Sequence, residues 1–167
     1  MPSRMTRTRE VQERLTVRKL VDDALAEVFT EDVRSIVDLV DAVSEWYGKP
    51  IYVDALDEDA NWGALTAFLT EDEEGVTVYY RLADSPQYRL QCICHELGHL
   101  VMRTDCSLPF DDEVAEQVAV PAGVYRLQAR DLRDTPGERS AEEFAFAAIR
   151  ALRDSARPKT RDAEIWA

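Results

Sequence analysis

Residues 91–102 read QCICHELGHLVM and contain both histidines of the 167-residue chain, His95 and His99. Residues four apart on an α-helix project from the same face, so the two imidazoles can reach one metal ion, with Glu96 to the side of them. This is the H-E-x-x-H spacing. The helical repeat places an apolar set on the opposite flank: Leu90, Ile93, Cys94, Leu97, Leu100 and Val101. The stretch therefore predicts a helix with one chemical face and one core face.

The residue types of this motif match the chemistry of a catalytic zinc site. Two neutral imidazoles and one carboxylate hold Zn²⁺ and leave a fourth position open for water, whose pKa the metal lowers to about 7. Glu96 is then placed to accept the proton of the attacking water and to deliver it to a leaving amine. Gly98 weakens the helix by about 1 kcal/mol relative to alanine, and its missing side chain predicts the close approach of another backbone.

Two other interpretations of the stretch stay open. A histidine pair on a helix is also found as an ordinary polar surface pair, although such a pair would need neither Glu96 nor the apolar flank. A closed structural zinc site made of His95, His99, Cys92 and Cys106 is the second alternative. The three cysteines are expected to be reduced thiols, because two of them are separated by a single helical residue, which is poor disulfide geometry.

The composition, with 46% hydrophobic residues in 167, fits a single domain with its own core. No apolar run resembles a signal peptide or a membrane span, which predicts a cytoplasmic protein. The first twenty residues carry six basic and two acidic side chains, a net charge of +4, which leaves −17 on the rest of the chain. Such an acidic surface disfavours direct nucleic-acid binding and would attract a basic protein partner. The alternative is that the negative charge serves only to keep the protein soluble.

The N-terminal third is predicted to be helical. Residues 1–9 are basic and polar and predict a disordered arm, and apolar residues at helical spacing then predict an amphipathic helix over about residues 10–29. A second helix is predicted over residues 31–47, capped by Thr30 and ended by Gly48. Its predicted buried stripe is Val33, Ile36, Val37, Val40 and Val43.

Short strands follow the second helix, and the last two are predicted to form a hairpin. They are expected at residues 51–53, 65–69 and 76–81. The H-E-x-x-H helix is predicted to begin at Pro86 with Ser85 or Asp84 as its cap. These elements predict an α+β domain with a small three-stranded sheet.

The C-terminal third is predicted to contain two more helices. A short one is expected over about residues 110–119, and Pro121 and Gly123 end or bend it. The last is expected over residues 140–155, followed by a mobile tail at residues 156–167. Its predicted buried residues are Phe144, Ala148, Ile149 and Leu152. The single domain is therefore expected to span residues 10–155.

Two runs of the sequence resemble the ImmA/IrrE family of zincin-type metallopeptidases: QYRLQCICHELGHLV at residues 87–101 and DEVAEQVA at residues 112–119. Members of this family carry a comparable run before HELGH and then a helix with the pattern E-x-E-A-N/D/E-x-x-A. The resemblance extends to GKPIYV and GVTVYYRLA, as in actinobacterial members, and covers about residues 31–120. Several zincin families share HELGH, so the order of elements and the second helix carry the assignment.

The resemblance implies a zincin-like fold, a zinc ion on His95 and His99, and Glu96 as the catalytic acid and base. It also implies a third carboxylate ligand on a following helix. Alignment of DEVAEQVA with the family pattern puts this ligand at Asp112, where the family has glutamate.

The third ligand has alternatives, because Asp112 is one methylene shorter than glutamate. Glu116 lies one turn later on the same face and is the alternative ligand. If Asp112 binds the metal, Glu116 instead orients His95 or His99 by a hydrogen bond. Glu113 is a further candidate, and an acidic first turn favoured by the helix dipole would also explain these residues.

The resemblance implies a zinc metallopeptidase, a hydrolase that acts on a protein partner. Proteins of this family often pair with helix-turn-helix repressors and regulate transcription by cleaving or binding them. This chain has no basic recognition helix of its own. The alternative is a non-catalytic zincin-like module that binds a repressor partner.

Overall fold

The computed structural model describes residues 4–56, 66–104, 126–129 and 135–156, with the backbone alone for 4–10 and 126–129. Two helices come first, followed by three strands, a third helix, a fourth strand and a last helix. The elements are α1 (Arg4–Val28), α2 (Ile36–Tyr47), β1 (Ile51–Leu56), β2 (Ala67–Glu71), β3 (Val76–Arg81), α3 (Pro86–Val101), β4 (Arg126–Ala129) and α4 (Pro136–Ser155). The predicted α+β class is confirmed.

The strands form one sheet in the order β1-β3-β2-β4. The predicted hairpin of β2 and β3 is present, with Ala67 opposite Tyr80 and Glu71 opposite Val76. The first strand, β1, lies parallel to β3. A fourth strand, β4, pairs antiparallel with β2 and is an addition to the three predicted strands. Its four residues, RLQA, are too few to show the alternation by which a strand is recognised.

Helix α1 begins at Arg4 rather than near Glu10. The disordered arm that the composition predicts for residues 1–9 is therefore helical from Arg4 onward. This segment contains no glycine or proline after Pro2 and includes arginine and methionine, which are good helix formers. The second half of α1 packs on the domain through Val21 and Val28, both of which are buried.

Helix α2 begins at Ile36, and its cap is Ser35 rather than Thr30. The Ser35 hydroxyl accepts from the Asp38 amide at 3.2 Å, and the Asp38 carboxylate accepts from the Ser35 amide at 2.8 Å. This reciprocal pair satisfies two amides at the helix start. The predicted end is confirmed, since Gly48 adopts a left-handed φ of 81°.

The buried stripe of α2 differs from the prediction at two positions. Val33, Val40 and Val43 are buried as expected, but Val37 is 64% exposed and Leu39 is fully buried. The later start explains the change, because Val33 precedes the helix and the packed face is that of Ile36, Leu39, Val40 and Val43, spaced at i, i+3, i+4 and i+7.

Helices α3 and α4 cross closely in the middle of the fold. Ser85 caps α3 and Pro86 occupies its first turn, as predicted. Helix α4 begins at Pro136, four residues before the expected start, and is capped by Thr135. This earlier start puts Glu138 in the first turn of α4.

The core lies around α3, which contacts the sheet, α2 and α4. Its buried apolar residues come from every helix and from the first three strands. The largest fully buried apolar side chains are Phe68, Phe144, Leu39, Leu69, Leu97, Leu100, Val21 and Val28. The predicted helix at residues 110–119 and the tail from residue 157 lie outside the described residues. None of the helices described is both long enough and apolar enough to cross a bilayer.

Candidate metal centre

The structure brings His95, His99 and Glu138 together between α3 and α4. The Nε2 atom of His95 lies 3.1 Å from Nε2 of His99 and 3.1 Å from Oε2 of Glu138. The Nε2 atom of His99 lies 3.4 Å from Oε1 of Glu138. All three residues are buried, with Glu138 only 8% exposed. Two residues of α3 and one of α4 thus supply a compact group of nitrogen and oxygen donors.

The spacing of these donor atoms fits a small divalent ion. Two imidazoles and one carboxylate are a common ligand set of catalytic zinc, with nitrogen and oxygen about 2.0 to 2.1 Å from the ion. Neighbouring ligand atoms of a tetrahedral site with those bond lengths are about 3.3 Å apart. The nearest separations between the three residues, 3.1, 3.1 and 3.4 Å, bracket that value, with Glu138 presenting Oε2 to His95 and Oε1 to His99. The group could therefore hold a metal ion without rearrangement of the helices.

The second ring nitrogen of His95 is held by Glu142. Its Nδ1 atom lies 3.1 Å from Oε2 of Glu142, and the other oxygen of Glu142 accepts from Nε2 of Gln91 at 2.8 Å. In the tautomer with the proton on Nδ1, His95 donates to the Glu142 carboxylate, which can only accept. The lone pair of Nε2 is then directed toward His99 and Glu138, as metal binding requires.

The second ring nitrogen of His99 is held by the chain that leaves α3. Its Nδ1 atom lies 2.8 Å from Oγ1 of Thr104. Arg103 adopts a left-handed φ of 50° and turns the chain back, and the Thr104 amide donates to the His99 carbonyl at 3.2 Å. The Glu142 carboxylate on α4 therefore positions the His95 imidazole, and the Thr104 hydroxyl after α3 positions the His99 imidazole.

Acidic groups accumulate at this centre. Burial raises the pKa of Glu138, but its hydrogen bonds to His95 and His99 and their charges outweigh burial and lower the pKa to about 2. Glu138 is therefore ionised at neutral pH. Glu96, the neighbour of His95 on α3, is fully buried as well. Buried carboxylates require compensating charge or hydrogen bonds, and a divalent cation supplies such charge.

Gly98 permits the close crossing of α3 and α4. A Cβ atom at this position would lie 2.9 Å from the Ala141 carbonyl oxygen and 3.2 Å from Cβ of Phe144. Both distances are shorter than ordinary van der Waals contacts, so any side chain would push α4 away. The predicted close approach of a second backbone at Gly98 is confirmed, and the second backbone is the helix that carries Glu138.

The cysteines described by the structure are reduced. Cys92 and Cys94 are both buried, and neither forms a disulfide, as predicted. Burial raises the pKa of Cys94 to about 12, so it stays protonated. Cys92 does not belong to the group of His95, His99 and Glu138. Cys106 lies outside the described residues, so the closed site with two cysteines is not assembled in the part of the chain that is described.

The predicted third ligand, Asp112, and its alternatives Glu116 and Glu113 also lie outside the described residues. The carboxylate that the structure brings to the histidines is Glu138, which the sequence analysis does not consider. A signal for it exists in the sequence. Residues 138–145 read ERSAEEFA and match E-x-E-A-N/D/E-x-x-A with one departure, at Ser140, whereas DEVAEQVA departs at two positions.

Comparison of the chain with protein-family models, with curated proteins and with solved structures finds no match. The assignment of a candidate metal centre therefore rests on the geometry of His95, His99 and Glu138 alone.

Proposed function

We propose that this protein is a zinc-dependent metallopeptidase with a zincin-like fold, in which His95, His99 and Glu138 bind the metal. The observation that carries the proposal is the convergence of three buried donor residues, whose nearest nitrogen and oxygen atoms are 3.1 to 3.4 Å apart, from an H-E-x-x-H helix and a second helix. The better match of residues 138–145 to the ImmA/IrrE pattern supports Glu138 over Asp112 as the third ligand.

Side chains of this protein would transfer the proton and position the two imidazoles. When bound, zinc lowers the pKa of water and polarises a substrate carbonyl. Glu96 accepts the proton of the attacking water and returns it to the leaving amine, so the peptide bond is hydrolysed without a net change in Glu96. Glu142 and Thr104 hold His95 and His99 through Nδ1, which keeps both Nε2 lone pairs available.

The proposed substrate is a protein, such as a DNA-binding repressor. Two observations support this choice. The resemblance to ImmA/IrrE proteins implies a regulatory partner, and the net charge of −17 after the first twenty residues favours a basic partner over a nucleic acid. We propose that the protein acts in the cytoplasm, where such regulators occur.

Replacement of Glu96 separates hydrolysis from binding. Glu96→Gln should retain zinc and fold, but peptide hydrolysis should fall by about 10² to 10⁴, because an amide cannot accept the proton of the attacking water. The assay is mass spectrometry of a proteome-derived peptide library incubated with zinc-loaded protein. Glu45→Gln, an exposed acidic position on α2, is the matched control and should cleave like wild type.

The same experiment can contradict the proposal. If wild type binds zinc but yields no new peptide ends, or if Glu96→Gln cleaves equally well, the peptidase function fails. A zinc-loaded protein that releases a repressor from DNA without cutting it, with and without Glu96→Gln, would be a non-catalytic binding module.

A further inference from the structure

The first half of α1 presents an apolar and basic face to solvent. Val11, Arg14, Leu15 and Arg18 are spaced at i, i+3, i+4 and i+7 and therefore share one side of the helix. Val11 and Leu15 are 52% and 57% exposed. Every side chain over residues 11–16 is exposed in the part of the chain that the structure describes.

The outer face of α2 has the opposite character. Val37 is 64% exposed, and Asp41 and Glu45 follow it at intervals of one turn, both exposed. This stripe therefore combines one apolar side chain with two carboxylates. Exposed apolar residues among charges at helical spacing are typical of helices that pack against another helix.

The two stripes complement one another in charge and in length. Four residues spaced from i to i+7 span about 11 Å of helix, and the stripe from Val37 to Glu45 spans about 12 Å. With the two helices parallel, Val11 can then pack on Val37 while Arg14 and Arg18 meet Asp41 and Glu45. We propose that the first half of α1 docks on α2 of a second copy of this chain, so that the two copies exchange arms and form a twofold dimer.

A second copy suits this arm better than the same chain or a nucleic acid. Within one chain, α1 already meets α2 near its C-terminal end, where Nε1 of Trp46 donates to Glu27 at 2.9 Å. A nucleic acid would encounter the acidic remainder of the chain. Two identical chains supply both stripes, and a twofold axis satisfies both contacts at once. This inference is independent of the metal centre.

Reciprocal charge reversal tests the dimer. Wild type should sediment as a dimer at about 0.05 M salt and dissociate toward monomer at about 0.5 M, because exposed ion pairs are screened. The variants Arg14→Glu/Arg18→Glu and Asp41→Arg/Glu45→Arg should each raise the dimer Kd about tenfold or more, because like charges then face each other. An equimolar mixture of the two variants should dimerise again, since each arm then meets a stripe of opposite charge.

The matched control is Arg150→Glu/Arg153→Glu, which makes the same change in charge at exposed positions of α4 and should leave the dimer intact. Circular dichroism verifies that all variants are folded. The proposal is overturned if wild type is monomeric at low salt, if either reversal leaves the dimer unchanged, or if the mixture stays monomeric. Salt-sensitive binding of a fluorescent DNA duplex by a monomer, lost in Arg14→Glu/Arg18→Glu, would assign the arm to nucleic acid and also overturn it.

Discussion

Glu71 and Glu138 are both buried acidic residues, with 6% and 8% exposure, but their charges are compensated differently. Glu71 accepts from Nζ of Lys49 and from the Tyr47 hydroxyl, both at 3.0 Å. Glu138 faces the Nε2 atoms of His95 and His99. Lysine is charged at neutral pH, whereas an imidazole is charged only when it binds a proton.

The cation beside Glu71 is therefore part of the chain, whereas a cation beside Glu138 would be a proton or a metal ion and would be exchangeable. A proton and a metal ion compete for the same Nε2 positions, so metal binding replaces protons. Glu71 is therefore a structural residue that links the end of α2 to the hairpin. Glu138 instead belongs to a group that could hold a metal ion. Substitutions of the two glutamates should accordingly have different consequences.

The largest expected difference is in the stability of the metal-free protein. Glu71→Gln should lower the free energy of unfolding by about 2 to 3 kcal/mol, because Lys49 and Tyr47 lose a charged acceptor. Glu138→Gln should lower it less than Glu71→Gln does, because the cost of burying the Glu138 carboxylate offsets part of what its hydrogen bonds to His95 and His99 contribute. Urea unfolding with a chelator present measures both. An equal loss in the two variants would contradict the distinction.

Widening the crossing of α3 and α4 should damage the metal centre as well as the fold. Gly98→Ala should lower the free energy of unfolding by about 2 kcal/mol, since its Cβ collides with the backbone at Ala141. Zinc affinity should also fall, because Glu138 moves away with α4. Gly48→Ala is the control: its strained left-handed φ should lower stability by about 1 kcal/mol but leave zinc affinity unchanged. Chelator competition measures affinity, and unchanged binding in Gly98→Ala would disprove the coupling.

A smaller effect is expected at Glu142, which contacts His95 but not the metal position. Glu142→Gln should weaken zinc binding about tenfold, because an amide orients the imidazole less strongly than a carboxylate. Glu143→Gln, its exposed neighbour, should bind like wild type. Competition with a chromophoric chelator resolves a change of this size. Equal affinities for the two variants would show that Glu142 does not orient His95.

The sequence predicts α3 and its two histidines well, because local rules determine them. Ser85 and Pro86 define where the helix begins, a four-residue spacing puts His95 and His99 on one face, and Gly98 indicates the close crossing. Each of these inferences needs no knowledge of distant residues.

The third donor is harder to predict, because it depends on which distant helix crosses α3. Residues 112–119 follow the histidines sooner along the chain, so the family pattern is first sought there. Residues 138–145 match the pattern better, but the expected start of the last helix at Ser140 leaves Glu138 in a loop. Thr135 as the cap and Pro136 in the first turn correct this boundary. A cap error of one turn therefore removes Glu138 from the candidate donors.

The most direct test of the central claim is the zinc content of purified protein with Glu138→Gln beside Glu71→Gln. Elemental analysis should find one equivalent of zinc in wild type and in Glu71→Gln, and in Asp112→Ala. It should find little in Glu138→Gln and in His99→Ala, because two ligands hold the ion too weakly against water. Full zinc in Glu138→Gln, with loss in Asp112→Ala, would contradict the account and return the third ligand to the position first expected from the sequence.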